Sequence, residues 1–182
     1  MIELKPLIYD KEMLNRIASE RNKVLQNLRS TWVTEPEKQR EWIMNMNPDT
    51  ERYFYVFDME AKHIIDNDSF LTIDNEFIGY CGLDKINHID SYAEVSLLIF
   101  EEHRKKGIGI KAMKKLLKYG FDYLGLHLLY VNVNDIDNIF EFWEKIGFQK
   151  EGNLKFRKKI KYLYCDVISA SLCKSDWKLI YG

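Results

Sequence analysis

The stretch EVSLLIFEEHRKKGIGIKAMKKLLKYGF, from Glu94 to Phe121, limits the possible folds of this chain more than any other segment. Val95, Leu97 and Ile99 alternate with Glu94, Ser96 and Leu98, which is the period of a strand. A charged loop, Glu101 to Lys106, leads to Gly107-Ile108-Gly109. An amphipathic helix follows, with Ile110, Met113, Leu117, Gly120 and Leu124 on one face. A strand that passes through a basic, glycine-punctuated turn into a helix is suited to hold phosphate. Glycine lets the backbone approach an anion closely. The first N–H groups of a helix have no intrahelical partner, and its positive end favours negative charge. The segment contains neither GxxxxGKS/T nor GxGxxG, so it is not a nucleoside-triphosphate loop or a dinucleotide fingerprint.

The chain has 182 residues, enough for one domain with a sizeable core, and we assign residues 1–182 to a single α/β domain. Its net charge of −1 gives no overall attraction to nucleic acid or to an anionic membrane, although KFRKKIK (Lys155 to Lys161) is a local basic patch. Cys81, Cys165 and Cys173 are odd in number and lie in apolar contexts, which fits free thiols in a reducing compartment. They have no metal-ligand spacing with one another or with the histidines, so no metal is expected. The N-terminus lacks a basic segment followed by an apolar one, and no apolar run approaches a membrane span. A cytoplasmic protein without membrane or nucleic-acid partners is the expectation.

The element order reads as follows. Ile2–Ile8 is an edge strand, and Asp10 caps a helix from Lys11. Thr34-Glu35-Pro36-Glu37 opens a second helix that ends near Asn47-Pro48. Tyr53–Phe57 is a strand, Met59–Asp68 a surface loop, and Ser69–Ile73 and Phe77–Leu83 two strands around a turn at Asp74-Asn75-Glu76. His88 to Ser91 turns the chain into the strand Tyr92–Phe100. After the glycine-loop helix come the buried strand Leu126–Val133, a helix over Asp135–Lys145 closed by Gly147, and two long antiparallel strands, Phe148–Lys161 and Tyr162–Leu172.

Arg104-x-x-Gly107-x-Gly109 resembles the pyrophosphate loop of the GNAT N-acetyltransferase superfamily. Three further segments follow in that family's order. LLYVNVN sits where the fold places a strand that splays from its neighbour, and FWEKIGF (Phe142 to Phe148) is similar to the helix-to-strand signature FYEKLGF. The third is the C-terminal pattern of Gly147-Phe148, Glu151-Gly152, Leu154, Tyr164, Asp166 and Trp177. It resembles the branch containing ribosomal-protein-alanine, spermidine and nucleotide-sugar acetyltransferases. Arg21-Asn22, Leu28-Arg29 and Trp42 look like that branch too.

The resemblance implies a mixed central sheet with splayed parallel strands 4 and 5, flanked by helices. It implies acetyl-CoA as co-substrate and transfer of its acetyl group to a primary amine by direct attack. Leu97, Leu98 and Ile99 would pair with the pantetheine arm through their backbones. Arg104, Lys105, Lys106, Gly107, Ile108, Gly109 and Ile110 would hold the pyrophosphate, with Asn138 and Trp143 near the pantetheine end. Glu94 would be the general base that takes the acceptor's proton, or else a strand carboxylate paired with a neighbouring lysine. Tyr92 and His88 are reserves for that role, while His103 and His127 receive none. Arg29, Trp32, Tyr80, Asp84 and Tyr92 would line the acceptor site, to which Arg40 also belongs.

Two departures stand out. Trp143 replaces a tyrosine that protonates the leaving thiolate in many relatives, and an indole N–H is no usable acid at neutral pH. Ile136 occupies the usual asparagine position before the helix, with Asp135, Asp137 and Asn138 around it. The Lys155–Lys161 cluster suits a phosphate-bearing acceptor, such as a nucleotide-linked amino sugar or a modified nucleotide, better than a polyamine. The plainer reading of these lysines is a solvated strand face. A protein N-terminus is the other acceptor class, a homodimer is compatible with the resemblance, and a catalytically silent CoA-binding module is the competing function.

Overall fold

Apolar residues on both faces of the middle strands demand cover on both sides of a sheet, and the amphipathic helices supply it. The structure is a computed structural model that describes residues 1–28, 33–63 and 72–182. The strands are β1 (Ile2–Pro6), β2 (Arg52–His63), β3 (Thr72–Asn87), β4 (Tyr92–Ile99), β5 (Leu128–Asn134), β6 (Gln149–Ile160) and β7 (Leu163–Cys173). The helices are α1 (Lys11–Lys23), α2 (Pro36–Met44), α3 (Ile108–Lys118), α4 (Phe140–Ile146) and α5 (Lys174–Tyr181). One seven-stranded sheet runs β1-β2-β3-β4-β5-β7-β6. Its neighbours are antiparallel except for β4 and β5, which are parallel.

Strand alternation divides the core in two. Val95 and Ile99 point to the α3 side, where they join Ile108, Ala112, Met113, Leu116, Leu117 and Phe121 with Trp143, Ile146, Phe148 and Trp177. Leu98 and Phe100 point the other way, into a cluster with Leu14 and Ile17 of α1 and the aromatic residues Tyr53, Tyr55, Phe57, Phe77 and Tyr80. Burying each large apolar side chain contributes about 1.5–3 kcal/mol, so both helical layers are held by the same sheet. Local signals set the helix ends. The Asp10 carboxylate accepts from the Met13 N–H at 2.9 Å, and α4 stops at Gly147, whose φ of 112° suits a residue without Cβ.

Three expectations need correction. The Met59–Asp68 loop is strand up to His63, and its remainder lies outside the described residues. The turn expected at Asp74–Glu76 is absent: β3 is continuous, with Asp74 opposite Ala61 and Glu76 opposite Asp58. The adjacent β2 keeps pairing with β3 on both sides of a bulge between Asp58 and Ala61, and that pairing outweighs the turn preference of Asp-Asn. The helix expected from Asp135 begins at Phe140, because Asp137 and Asn138 have φ of 51° and 54°, which a right-handed helix cannot include. Helix α5 was not anticipated. It packs Trp177 against Phe121, with ring centroids 5.9 Å apart.

The three cysteines form no disulfide. Cys81 is wholly buried on β3, and burial pushes its thiol well above the ordinary range. A thiol reagent at neutral pH is therefore expected to label the half-buried Cys165 and Cys173 in the native chain, and to reach Cys81 only after denaturation. Labelling of Cys81 in the folded protein would show that the β2–β3–β4 register is wrong.

Candidate active site

The parallel pairing of β4 with β5 covers only Tyr92, Ala93 and Glu94, opposite Leu128, Leu129 and Tyr130. Each strand then stays with its other neighbour. β4 follows β3 to Ile99 opposite Gly79, and β5 follows β7 to Asn134 opposite Val167. The two strands part as a fork with Glu94 at its vertex. The Phe100 N–H donates to the Ile78 carbonyl at 2.9 Å. By antiparallel alternation, Leu98 and Ser96 also turn their backbone groups to β3, while Val95, Leu97 and Ile99 turn theirs to the fork. Of the backbone candidates, Leu98 therefore faces away: its register partner is Tyr80, and its side chain lies in the α1-side core. Val95 instead turns its backbone groups to the fork.

The mouth of the fork is closed by the start of α3. Gly107 is the N-cap, with φ of 72° and no side-chain cap bond, so the first-turn N–H groups of Ile108, Gly109 and Ile110 stay open to an anion. No acidic residue stands in this first turn, and Lys115 and Lys118 lie in the last, in accord with the helix dipole. A Cβ on Gly109 would lie 3.1 Å from the Phe142 ring and 3.4 Å from the Leu97 side chain. Helix α3 thus touches β4 through Leu97 and α4 through Phe142. Lys105, with φ of 59°, and Lys106 are exposed on the loop. Arg104 folds back, and its Nε donates to the Ile99 carbonyl at 2.7 Å, closing the last acceptor of the free edge.

Glu94 shares the parity of Leu98 and so points to the α1 side of the sheet. Its side chain is only 2% exposed and accepts from Nζ of Lys85, which is 60% exposed, at 2.7 Å. A β-bulge makes this pair. The register runs Asp84 to Glu94 and next Asn87 to Tyr92, leaving Lys85 and Ile86 opposite one residue. Lys85 has φ of 52°, a left-handed conformation that costs about 1–2 kcal/mol without glycine. The bulge sends Ile86 into the α3-side core and aims Lys85 at the carboxylate.

Several polar and aromatic groups share this face. Asp84 lies opposite Glu94. The Tyr92 and Tyr130 rings meet edge to face at 6.0 Å, and Trp42 of α2 meets Tyr53 at 4.7 Å and Tyr80 at 6.3 Å. Tyr80 is 5% exposed, and its hydroxyl accepts from Arg21 at 3.3 Å, so most of it is core. Asn134 anchors the face by donating to the carbonyls of Gln26, at 2.7 Å, and Leu28, at 3.3 Å. Arg29 and Trp32 lie outside the described residues. Arg40 sits over the Tyr9 ring, and His88 is exposed, with Nε2 2.8 Å from the Asp49 carbonyl oxygen. Asn138 lies in the left-handed turn before α4. His103 lies between Glu76 and Glu102, and His127 is exposed.

Trp143 is 6% exposed and sits in the α3-side core, edge to face with Phe142 at 5.2 Å and Phe148 at 5.3 Å. Phe142, one position earlier, is the α4 residue that touches the glycine turn. Sequence reading missed Phe142, Lys85, Val95, Tyr130 and Asn134. One signal was available: LLYVNVN carries polar residues at alternate positions, which marks one face of that strand as functional or as anchoring.

Residues 2–149 match the family model of the acetyltransferase (GNAT) domain. The chain is 32% identical over 108 residues to spermidine N(1)-acetyltransferase of Escherichia coli, a match that spans 57% of this chain and 58% of that protein. The Vibrio cholerae spermidine N(1)-acetyltransferase is 29% identical over 158 residues, 83% of each chain. The crystal structure of a Vibrio cholerae spermidine N-acetyltransferase in complex with CoA and spermine superposes with a TM-score of 0.81 at 24% identity. It covers 97% of this chain and 98% of that one.

The position of Trp143 yields a test. Trp143→Ala should lower unfolding free energy by about 3–5 kcal/mol, as removal of a buried aromatic does, measured by denaturant titration. Trp143→Phe should retain most of the stability. Trp143→Tyr should leave thiol release from acetyl-CoA unchanged, because this side chain packs in the core. A tenfold or greater rise in turnover with tyrosine, at unchanged stability, would mean that it faces the leaving sulfur instead.

Proposed function

Because the chain belongs to the GNAT acetyltransferase family, we propose that it transfers the acetyl group of acetyl-CoA to a primary amine of a small molecule, by direct attack in a ternary complex. The observation that carries this reading is the fork: β4 has an unpaired edge that ends at a buried carboxylate. The pantetheine arm pairs with Val95, Leu97 and Ile99 as an added strand and so satisfies backbone groups that otherwise need water. The pyrophosphate rests on the N–H groups between Lys105 and Ile110, and the thioester lies near Glu94.

Glu94 takes a proton from the acceptor ammonium, directly or through water, and the freed amine attacks the thioester carbonyl. The CoA thiolate then leaves. A thiol pKa of about 8.5 lies close enough to neutrality for departure without a dedicated acid, which accommodates tryptophan at position 143. The competing module that binds CoA without turnover is distinguished by the absence of amine-dependent thiol release.

For the acceptor, polyamines come first. The Escherichia coli and Vibrio cholerae relatives carry spermidine in their names, and Asp84 lies opposite Glu94 in the β3–β4 register. The basic hairpin does not exclude a cation. The lysines of the Lys155–Lys161 cluster lie beyond Val167, whereas the Glu94 row crosses β7 at Ser171. Four residues along a strand span about 13 Å, more than the ~8 Å screening length at physiological salt. An acceptor long enough to carry a phosphate to Lys161 is the second reading. It is favoured by a groove of about 570 Å³ lined by Gln26, Asp137, Lys161, Tyr162 and Tyr164.

An amine panel of polyamines, amino sugars, nucleotide-linked amino sugars and peptide N-termini, with thiol detection, tests the reading. Glu94→Gln should keep acetyl-CoA affinity and lose about 10²–10⁴-fold in turnover. The deficit should shrink as pH rises toward the amine's own pKa, where free base needs no help. Wild-type turnover in this variant at neutral pH would remove Glu94 from the mechanism. Gly107→Val and Gly109→Val, the first strained at positive φ and the second colliding with Phe142, should weaken acetyl-CoA binding at least about tenfold. Each lost hydrogen bond to a charged group is worth about 1.5–3 kcal/mol. Unchanged affinity by calorimetry in folded variants would move the pyrophosphate elsewhere.

A further inference from the structure

We propose that Lys85 is an acetyl acceptor of this chain. With acetyl-CoA bound and no amine in the cleft, its Nζ receives the acetyl group. The inference rests on the reading of Glu94 as general base. The base and this lysine are 2.7 Å apart. An amine that delivers its proton to Glu94 must reach a carboxylate only 2% exposed, and the Lys85 ammonium already stands at it. Lys85 therefore occupies the position of the acceptor nitrogen.

The placement is built into the backbone rather than left to a long side chain. The β3 bulge and the left-handed φ of 52° turn Lys85 toward the carboxylate, at the fork vertex where the free β4 edge begins. The side chain is 60% exposed, so a cationic acceptor can displace it. Two other lysine–carboxylate pairs among the described residues differ in location: Lys23–Glu20 lies within α1 and Lys38–Glu41 within α2.

The step balances. Glu94 removes one proton from the Lys85 ammonium, and the nitrogen lone pair forms a bond to the thioester carbonyl carbon. The C–S bond breaks with its electron pair on sulfur, and the sulfur takes the second nitrogen proton as the amide forms. Glu94 then returns its proton to solvent. The products are an uncharged acetyl-lysine and CoA. No oxidant or other co-reactant is needed. Acetyl-lysine has lost its positive charge, so its ion pair with the carboxylate no longer competes with an incoming ammonium. Self-acetylation would then lower the KM for cationic acceptors.

The test is incubation of the full chain with acetyl-CoA alone, followed by intact mass and peptide mapping. Lys85 should gain one acetyl group about 100-fold faster than the exposed Lys118, the lower end of a general-base contribution. Glu94→Gln should abolish that advantage, a saturating amine substrate should suppress it, and Lys85→Arg should leave only the background of exposed lysines. If amines are turned over but Lys85 is modified no faster than Lys118, this inference fails and the acetyltransferase reading stands. Equal modification of Lys85 in Glu94→Gln also overturns it. If acetyl-CoA binds but neither Lys85 nor any amine is acetylated, both readings fail together.

Discussion

The early end of one parallel strand pairing organises this molecule. After Glu94, β4 is held by β3 and β5 by β7, and neither strand can follow the other. Val95, Leu97 and Ile99 are left with backbone groups directed into the opening. A buried peptide group without a partner is costly, and among the described residues Arg104 meets that demand at the Ile99 carbonyl. The remaining edge calls for water or an extended ligand. The residues around it follow from this: Gly109 lets α3 lie against Leu97 and Phe142 at the mouth, and Gly107 opens the turn that leaves the first helical N–H groups exposed.

The two faces of the sheet serve different ends. The α3 side is apolar and contains Trp143. The α1 side combines an aromatic core with Glu94, Asp84, Tyr92 and Tyr130, and Asn134 ties β5 to the turn after α1. A single bulge joins the faces by burying Ile86 on one and directing Lys85 to the other. Backbone strain at Lys85 therefore coincides with the most buried carboxylate at the fork, where such strain tends to accumulate in functional sites.

The strand, the glycine turn and the amphipathic helix from Glu94 to Lys118 were legible because they are contiguous and their periods differ, two residues for the strand and 3.6 for the helix. The Asp10 cap and the Gly147 stop were legible for the same reason, since a cap acts within one turn. The long β2–β3 ladder was not. Asp74-Asn75-Glu76 has the chemistry of a turn, and only the neighbouring strand decides that it continues. Nor was the late start of α4, where two consecutive left-handed residues hold the chain out of the helix that its composition suggests.

What the sequence determined by itself was therefore local: which segments are strands or helices, where the phosphate-suited turn lies, and that Glu94 and Val95 face opposite sides of their strand. Only the tertiary structure decided which backbone edge is free, that Trp143 is core and Phe142 lies at the glycine turn, and that Lys85 meets Glu94. Those facts depend on register between strands distant in the chain. Register is set by the sum of packing on both faces, with a bulge able to shift it by one residue, and no window of sequence contains that sum.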